Sequence, residues 1–265
     1  MSTETPSVVV ASATDVGRVR AHNEDAAFVG ETLFVVADGM GGHRAGEVAS
    51  RIAVDVLGAL GDTSALGPHD VVAQVEEANR SILTSAARHP QQTGMATTLA
   101  GLAVVTVGGS QHWAVVNIGD SRVYRLADGQ LAQVSADHSE VADLVRAGYL
   151  TDDEARRHPA RNIVTRCLGR DPLEPVDSWV FPQHPGERFL LCTDGLTNEV
   201  ADAELAAVLA SADDPQGAAD ALVARAVEHG GHDNITVVVV FVGGPDPAGE
   251  VEEATTPRHT PGSAW

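Results

Sequence analysis

"LFVVADGMGGHRAGEVAS", residues 33–50, runs five apolar residues straight into Asp38 and then places glycine at four of the next eight positions. The apolar run reads as a strand. Beyond it, Val48, Ile52, Val56 and Leu60 recur at every fourth residue, which predicts a helix with one apolar stripe. A carboxylate at the end of a buried strand is costly unless something neutralises it. Asp38 therefore asks for a surface turn, a phosphate-binding loop or a metal site, and the stretch alone does not choose among them.

Similar runs elsewhere predict further strands at 97–107, 112–118, 122–126, 188–193 and 234–242. Gly108-Gly109-Ser110-Gln111 and Asp128-Gly129 between such runs read as hairpin turns, so antiparallel pairing follows. The near-continuous apolarity of the central strands implies sheets covered on both faces. Helical spacing returns at Val71, Val75, Asn79, Ile82 and Leu83, and in 139–150. Thr151 and Glu154 have capping-box spacing. Late helices are expected over 202–211 and 215–230, the second with Pro215 in its first turn and Gly230-Gly231 as its stop. This order predicts an α+β, four-layer αββα sandwich of two antiparallel sheets flanked by helices. One domain is expected over 7–242, with a flexible, proline-bearing tail over 243–265.

Composition narrows the function classes. The chain carries 37 acidic and 17 basic residues, a formal charge of -20, which supplies no basic stripe for nucleic acid or anionic membrane. Its most apolar late run, 235–242, is far shorter than the ~20 residues a spanning helix needs. Cys167 and Cys192 sit in apolar contexts that suit reduced, buried thiols. No charged-then-apolar leader opens the sequence, so a soluble, cytoplasmic protein is expected.

The chemistry lies in a recurrence. Asp38, Asp120 and Asp194 each follow an apolar strand, and Asp233 immediately precedes one. Four carboxylates clustered at strand ends would require a cation, and hard oxygen donors without Cys-rich or paired-His spacing favour Mg²⁺ or Mn²⁺. Two such ions can activate water for displacement at phosphorus. Upstream, Arg18 and Arg20 precede Glu24 and Asp25, and a guanidinium can hold a phosphoryl group through two parallel hydrogen bonds. Dinucleotide, Gly-Lys phosphate-loop and Gly-x-Ser-x-Gly patterns are absent.

The ordered set "RAHNED", "VVADGMGGHRAGEVAS", "GMATTLAGL", "VNIGDSRVYRL", "DHS", "HPARNIVTRCLG", "LLCTDGL" and "HDNITVVVV" resembles the metal-dependent protein phosphatases of the PPM family, or type 2C, in their bacterial branch. The resemblance implies an enzyme that hydrolyses phosphoserine and phosphothreonine in proteins with a metal-activated water, without a covalent phosphoenzyme. It makes Asp38 the carboxylate bridging two Mn²⁺ or Mg²⁺ ions, with the Gly39 carbonyl on one and Asp194 and Asp233 on the other. It makes Arg20 the phosphate-binding residue, Glu24 and Asp25 the outer acids, and Asp120 a ligand, with Asp194, of a third ion near Asn162. Residues 136–170 match the family's bacterial flap, where His138 and His158 are expected to pack or cap. Phosphorylated proteins, among them a Ser/Thr kinase, are the implied partners of a monomer. One departure stands out: Met40 occupies a position where many eukaryotic relatives carry a histidine, and His43 reads as a loop or helix-start residue. The alternative of a pseudophosphatase that binds phosphoproteins without cleaving them would require loss of a metal ligand, and Asp38, Asp194 and Asp233 are all present.

Overall fold

The computed structural model describes residues 7–41, 45–61, 63 and 66–243, the side chains at 152 and 153 excepted. His43 and the tail from 244 lie outside the described residues.

Two antiparallel sheets stack face to face. One has the order β1 (Val8–Asp15), β11 (Ile235–Val242), β10 (Arg188–Cys192), β7 (Arg122–Ala127), β8 (Gln130–Gln133). The other runs β2 (Asp25–Val29), β3 (Leu33–Met40), β5 (Leu99–Val107), β6 (Ser110–Ile118), β9 (Asp177–Pro182), with the short β4 (Ala96–Thr97) also paired to β3. Residue alternation divides the core into three seams. Phe34, Val36, Trp113, Val115, Phe189, Leu191, Val238 and Val240 fill the space between the sheets. Leu33, Val35 and Ala37 point the other way, toward α1 (Ala45–Gly58) and α2 (Pro68–Arg88). Val237 and Val239 face α6 (Asp202–Ser211) and α7 (Pro215–His229). This is the expected αββα sandwich, and strands buried on both faces explain the unbroken apolar runs.

Local chemistry accounts for the connections. The β5–β6 and β7–β8 turns place Gly108 and Gly109, then Asp128 and Gly129, all at positive φ, as a two-residue hairpin requires. Asp214 caps α7 by accepting from the Gly217 N–H at 2.9 Å, with Pro215 at the first helical position. Thr151 and Glu154 form the reciprocal capping box before α4 (Asp152–Ala155), which lasts a single turn. Helix α3 covers Glu140–Arg146 and stops short of the expected 150.

The structure corrects the reading of α1. Its buried stripe is Ala49, Ala53 and Leu57, whereas Val48, Ile52 and Val56 lie half-buried alongside. Small alanines let the helix lie close to β3, so the larger residues fall on its flank. Strand β3 also outlasts its apolar run, because Gly39 and Met40 pair with Thr97 and Ala96. Asn79, on the buried face of α2, does more than pack. Its side chain accepts from the Gly169 and Arg170 N–H groups at 2.6 and 3.2 Å and donates to the Arg170 carbonyl at 3.0 Å, tying down that loop.

Candidate metal centre

The fold brings distant carboxylates to one end of the sandwich. Asp38 comes from β3 and Asp120 from the turn after β6 in one sheet; Asp194 follows β10 and Asp233 precedes β11 in the other. Together with Arg20, Glu24, Gly39 and Asn162 they line one cavity of about 720 Å³. Asp25 lies beneath it, opposite Asp38 in the β2–β3 register, its Oδ2 accepting from the Thr193 hydroxyl at 2.8 Å. Of the residues singled out in the sequence, Arg20, Glu24, Asp38, Gly39, Asp120, Asn162, Asp194 and Asp233 therefore line this cavity and Asp25 lies beneath it, whereas Arg18 is not part of its lining.

Main-chain hydrogen bonds hold the carboxylates in place. The Asp38 N–H donates to Thr98 Oγ1 at 2.9 Å, and its carbonyl accepts from the Thr98 N–H and the Thr97 hydroxyl at 2.9 and 2.8 Å. Thr98 Oγ1 is in turn 2.7 Å from Ser121 Oγ, which couples the Asp38 strand to the Asp120 turn. Gly39 is required where it stands: a Cβ there would lie 2.3 Å from the Gly46 carbonyl oxygen, so the helix packs directly on the strand backbone. The Asp120 turn is gripped from behind by buried His138, whose Nδ1 accepts from the Gly119 N–H at 3.1 Å while Nε2 meets Asp177 at 3.1 Å. His158 accepts from the Ala160 N–H at 3.2 Å. Both histidines thus act as packing and capping groups.

Asn234 escaped the reading of the sequence. Buried beside Asp233, it accepts from the Glu24 N–H at 2.8 Å and donates to the Val16 and His22 carbonyls at 2.9 and 3.0 Å. It anchors the segment that carries Arg20 and Glu24. A buried asparagine opening a valine-rich strand was the available signal. We expect Asn234→Ala to cost about 2–4 kcal/mol in chemical denaturation, because three main-chain groups lose their partner together.

The electrostatics are those of crowded carboxylates. Burial pushes Asp38 well above the ordinary carboxylate range, and the charges of Asp25, Asp194 and Asp120 push it further. Asp120 is raised well by burial and then by Asp194 and Asp137. Asp25 is pushed up to about 7 by burial, with Asp194 and Asp233 adding to it. Asp194 is raised by burial and Asp233. Glu24 is raised by burial, against the pull of Arg20. Arg20 donates to Asp233 Oδ2 at 2.7 Å, and that bond raises its own pKa; Arg122 pulls against the rise at Asp120.

Does this donor set suit a metal? Asp194 Oδ1 is buried with no hydrogen-bond partner, which is expensive for a carboxylate oxygen and is what a ligand atom looks like. All the donors are oxygens, which suits hard divalent cations. Among the described residues no three acidic, His or Cys side chains close around a single point. An ion here would complete its shell with the Gly39 carbonyl and water, as Mg²⁺ and Mn²⁺ commonly do. The two cysteines take no part: both are free and buried, and burial pushes the Cys192 thiol up to about 12.

Comparison with known proteins identifies the family. The protein phosphatase 2C family model matches residues 18–224. A serine/threonine phosphatase, Stp, of Listeria welshimeri is 39% identical over 238 residues, covering 86% of this chain and 93% of that protein. The serine/threonine protein phosphatase PstP of Mycobacterium tuberculosis is also 39% identical, over 88% of this chain but only 44% of its own longer length. A crystal structure of a PstP catalytic domain with two manganese ions superposes with a TM-score of 0.83 at 35% identity, over 91% of this chain and all of that one. In motif order, architecture and extent of match alike, the chain belongs to the protein phosphatase 2C family.

Proposed function

We propose that this protein hydrolyses phosphoserine and phosphothreonine esters in proteins, reversing the work of Ser/Thr kinases, with a catalytic domain over 7–242. The observation that carries the reading is the convergence of Asp38, Asp120, Asp194 and Asp233 from both sheets on one cavity that also holds Arg20. Asp38, Asp194, Asp233 and the Gly39 carbonyl would hold two Mn²⁺ or Mg²⁺ ions, and Asp120 with Asp194, near Asn162, a third. Bound there, the metals would supply a water of lowered pKa and neutralise the phosphoryl oxygens. Glu24 and Asp25 would serve as the outer acids, accepting hydrogen bonds from water around that centre. Arg20 now holds Asp233; with that carboxylate otherwise neutralised, its guanidinium is left to grip the phosphoryl group. All core acids are in place, so a pseudophosphatase has no support in the site.

The cavity is open, which suits a phosphorylated side chain on a protein surface. Among the described residues no helix is long and apolar enough to cross a membrane. The protein's proposed setting is that of a cytoplasmic monomer acting on phosphorylated proteins, a kinase among them.

The test is turnover of a phosphothreonine peptide with Mn²⁺, with and without chelator; activity that survives chelation rejects the reading. Arg20→Ala should raise KM about tenfold with kcat little changed, the scale of one charge-assisted bidentate contact. Steady-state kinetics check this, and an unchanged KM would remove Arg20 from the phosphate site.

A further inference from the structure

A second cavity of about 540 Å³ adjoins the first, and Asp120 and Asp194 form part of the wall of both. Its other walls bring in Arg146, Arg156 and Arg161, above a floor that includes Arg122. Every one of the chain's 17 basic residues is an arginine, and six of them fall between 146 and 170. In a chain of formal charge -20 the cavity sets four arginines, Arg122, Arg146, Arg156 and Arg161, against four aspartates, Asp120, Asp137, Asp194 and Asp202.

The floor is internally satisfied. Arg122 is held by both oxygens of Asp137, at 2.9 and 2.6 Å, and donates to the Tyr124 hydroxyl at 2.8 Å. That hydroxyl reaches Asp202 at 3.3 Å. The rim is not. Arg156 stands 3.6 Å from Asp202 with both side chains about half exposed, a pair of little worth that a better acceptor can displace. Arg146 pairs with Asp143 at 3.1 Å, equally exposed, and donates to the Asp137 carbonyl at 3.1 Å. Arg161 is exposed and has no ion pair among the described residues. The uncompensated acids of the cavity are then Asp120 and Asp194, the two it shares with the proposed metal centre.

We propose that this cavity is a subsite for a second phosphoryl group, carried a few residues away on the same polypeptide segment as the phosphothreonine being cleaved. The inference rests on the phosphatase reading above. A phosphomonoester offers nearly two negative charges and three acceptor oxygens, which match guanidinium forks better than a carboxylate does. The shared wall lets one extended peptide place an anion in each cavity. Neutralisation of Asp120 and Asp194 in the loaded enzyme would remove the repulsion from the wall shared with the first cavity.

The experiment uses the Mn²⁺-loaded full chain and phosphothreonine peptides that carry, one to four residues away on either side, a non-hydrolysable phosphonate analogue, a glutamate or an alanine. At least one phosphonate peptide should show kcat/KM about tenfold above its alanine parent, through KM, with glutamate gaining less. The double variant Arg156→Ala/Arg161→Ala should erase that preference and leave the alanine parent's kcat/KM unchanged. Absence of any preference in the native protein, its persistence in the double variant, or an equal gain from glutamate would each overturn the subsite. No turnover of any peptide would instead reject the phosphatase reading itself.

Discussion

Asp38→Asn should lower kcat on a phosphothreonine peptide with Mn²⁺ by about 10³-fold, and Asp233→Asn by a similar factor, since electrostatic groups at a reaction centre are worth that much. Asparagine keeps the shape and removes the charge. The hydrogen bonds that fix residue 38 to Thr97 and Thr98 come from its main chain, so the substitution leaves them alone. The same change should make the metal-free protein more stable. Asp38 is buried among Asp25, Asp194, Asp120 and Asp233, and every one of those charges opposes its ionisation. Loss of activity together with a gain in metal-free melting temperature is the signature of a residue kept for its ligand. A merely structural aspartate would lose stability when changed. Asp233→Asn should gain less, because it also gives up the Arg20 pair. Phosphopeptide turnover and thermal melting of both variants check this; full activity in either would remove that carboxylate from the centre.

The sequence was most legible where the structure is most regular. Central strands buried on both faces are unbroken apolar runs, and Asp128-Gly129 or Gly108-Gly109 can do little except turn. Strands β1, β2 and β9 escaped notice because they lie at sheet edges with residues half-exposed, and Ser12, Thr14, Asp25 and Ser178 dilute their apolar signal. The phase of α1 was misread because buried alanines carry less hydrophobic weight than the valines beside them. As to the site, four aspartates at strand ends were visible one by one. Their convergence was not, since the spacing from 38 to 233 says nothing of which strand ends meet. Only the pairing of β11 with β1 and β10, and the stacking of that sheet on the other, brings them together. Asn234 and the Thr98–Ser121 link were harder still. They hold main chain rather than ligand, and short polar side chains do that in countless unrelated loops.

The same crowding makes stability depend on pH in an unusual direction. Asp25 is raised to about 7 from an ordinary value of 3.8, and Asp38, Asp120 and Asp194 are raised as well. A carboxyl that holds its proton more tightly folded than unfolded contributes stability below its unfolded pKa and loses it as pH rises through the folded value. The metal-free protein should therefore melt at progressively lower temperature from pH 6 to pH 8, the interval that spans the titration of Asp25. Mn²⁺ should reverse the loss. An ion at 100 times its Kd that binds only the folded state adds about 2.7 kcal/mol, or roughly 5–10 °C for a chain of this size. Because ligand carboxylates must be deprotonated to bind, that gain should be larger at pH 8 than at pH 6. General self-repulsion in so acidic a protein also weakens the fold as pH rises, so the decisive comparison is with Asp38→Asn. That variant keeps the overall charge nearly unchanged, and it should flatten both the pH slope and the Mn²⁺ response together. Melting curves at three pH values, with metal and with chelator, decide the matter. A metal-free protein that grows more stable toward pH 8, or a native-like Mn²⁺ shift in Asp38→Asn, would mean that the strand-end carboxylates are held apart by the fold rather than waiting for a cation.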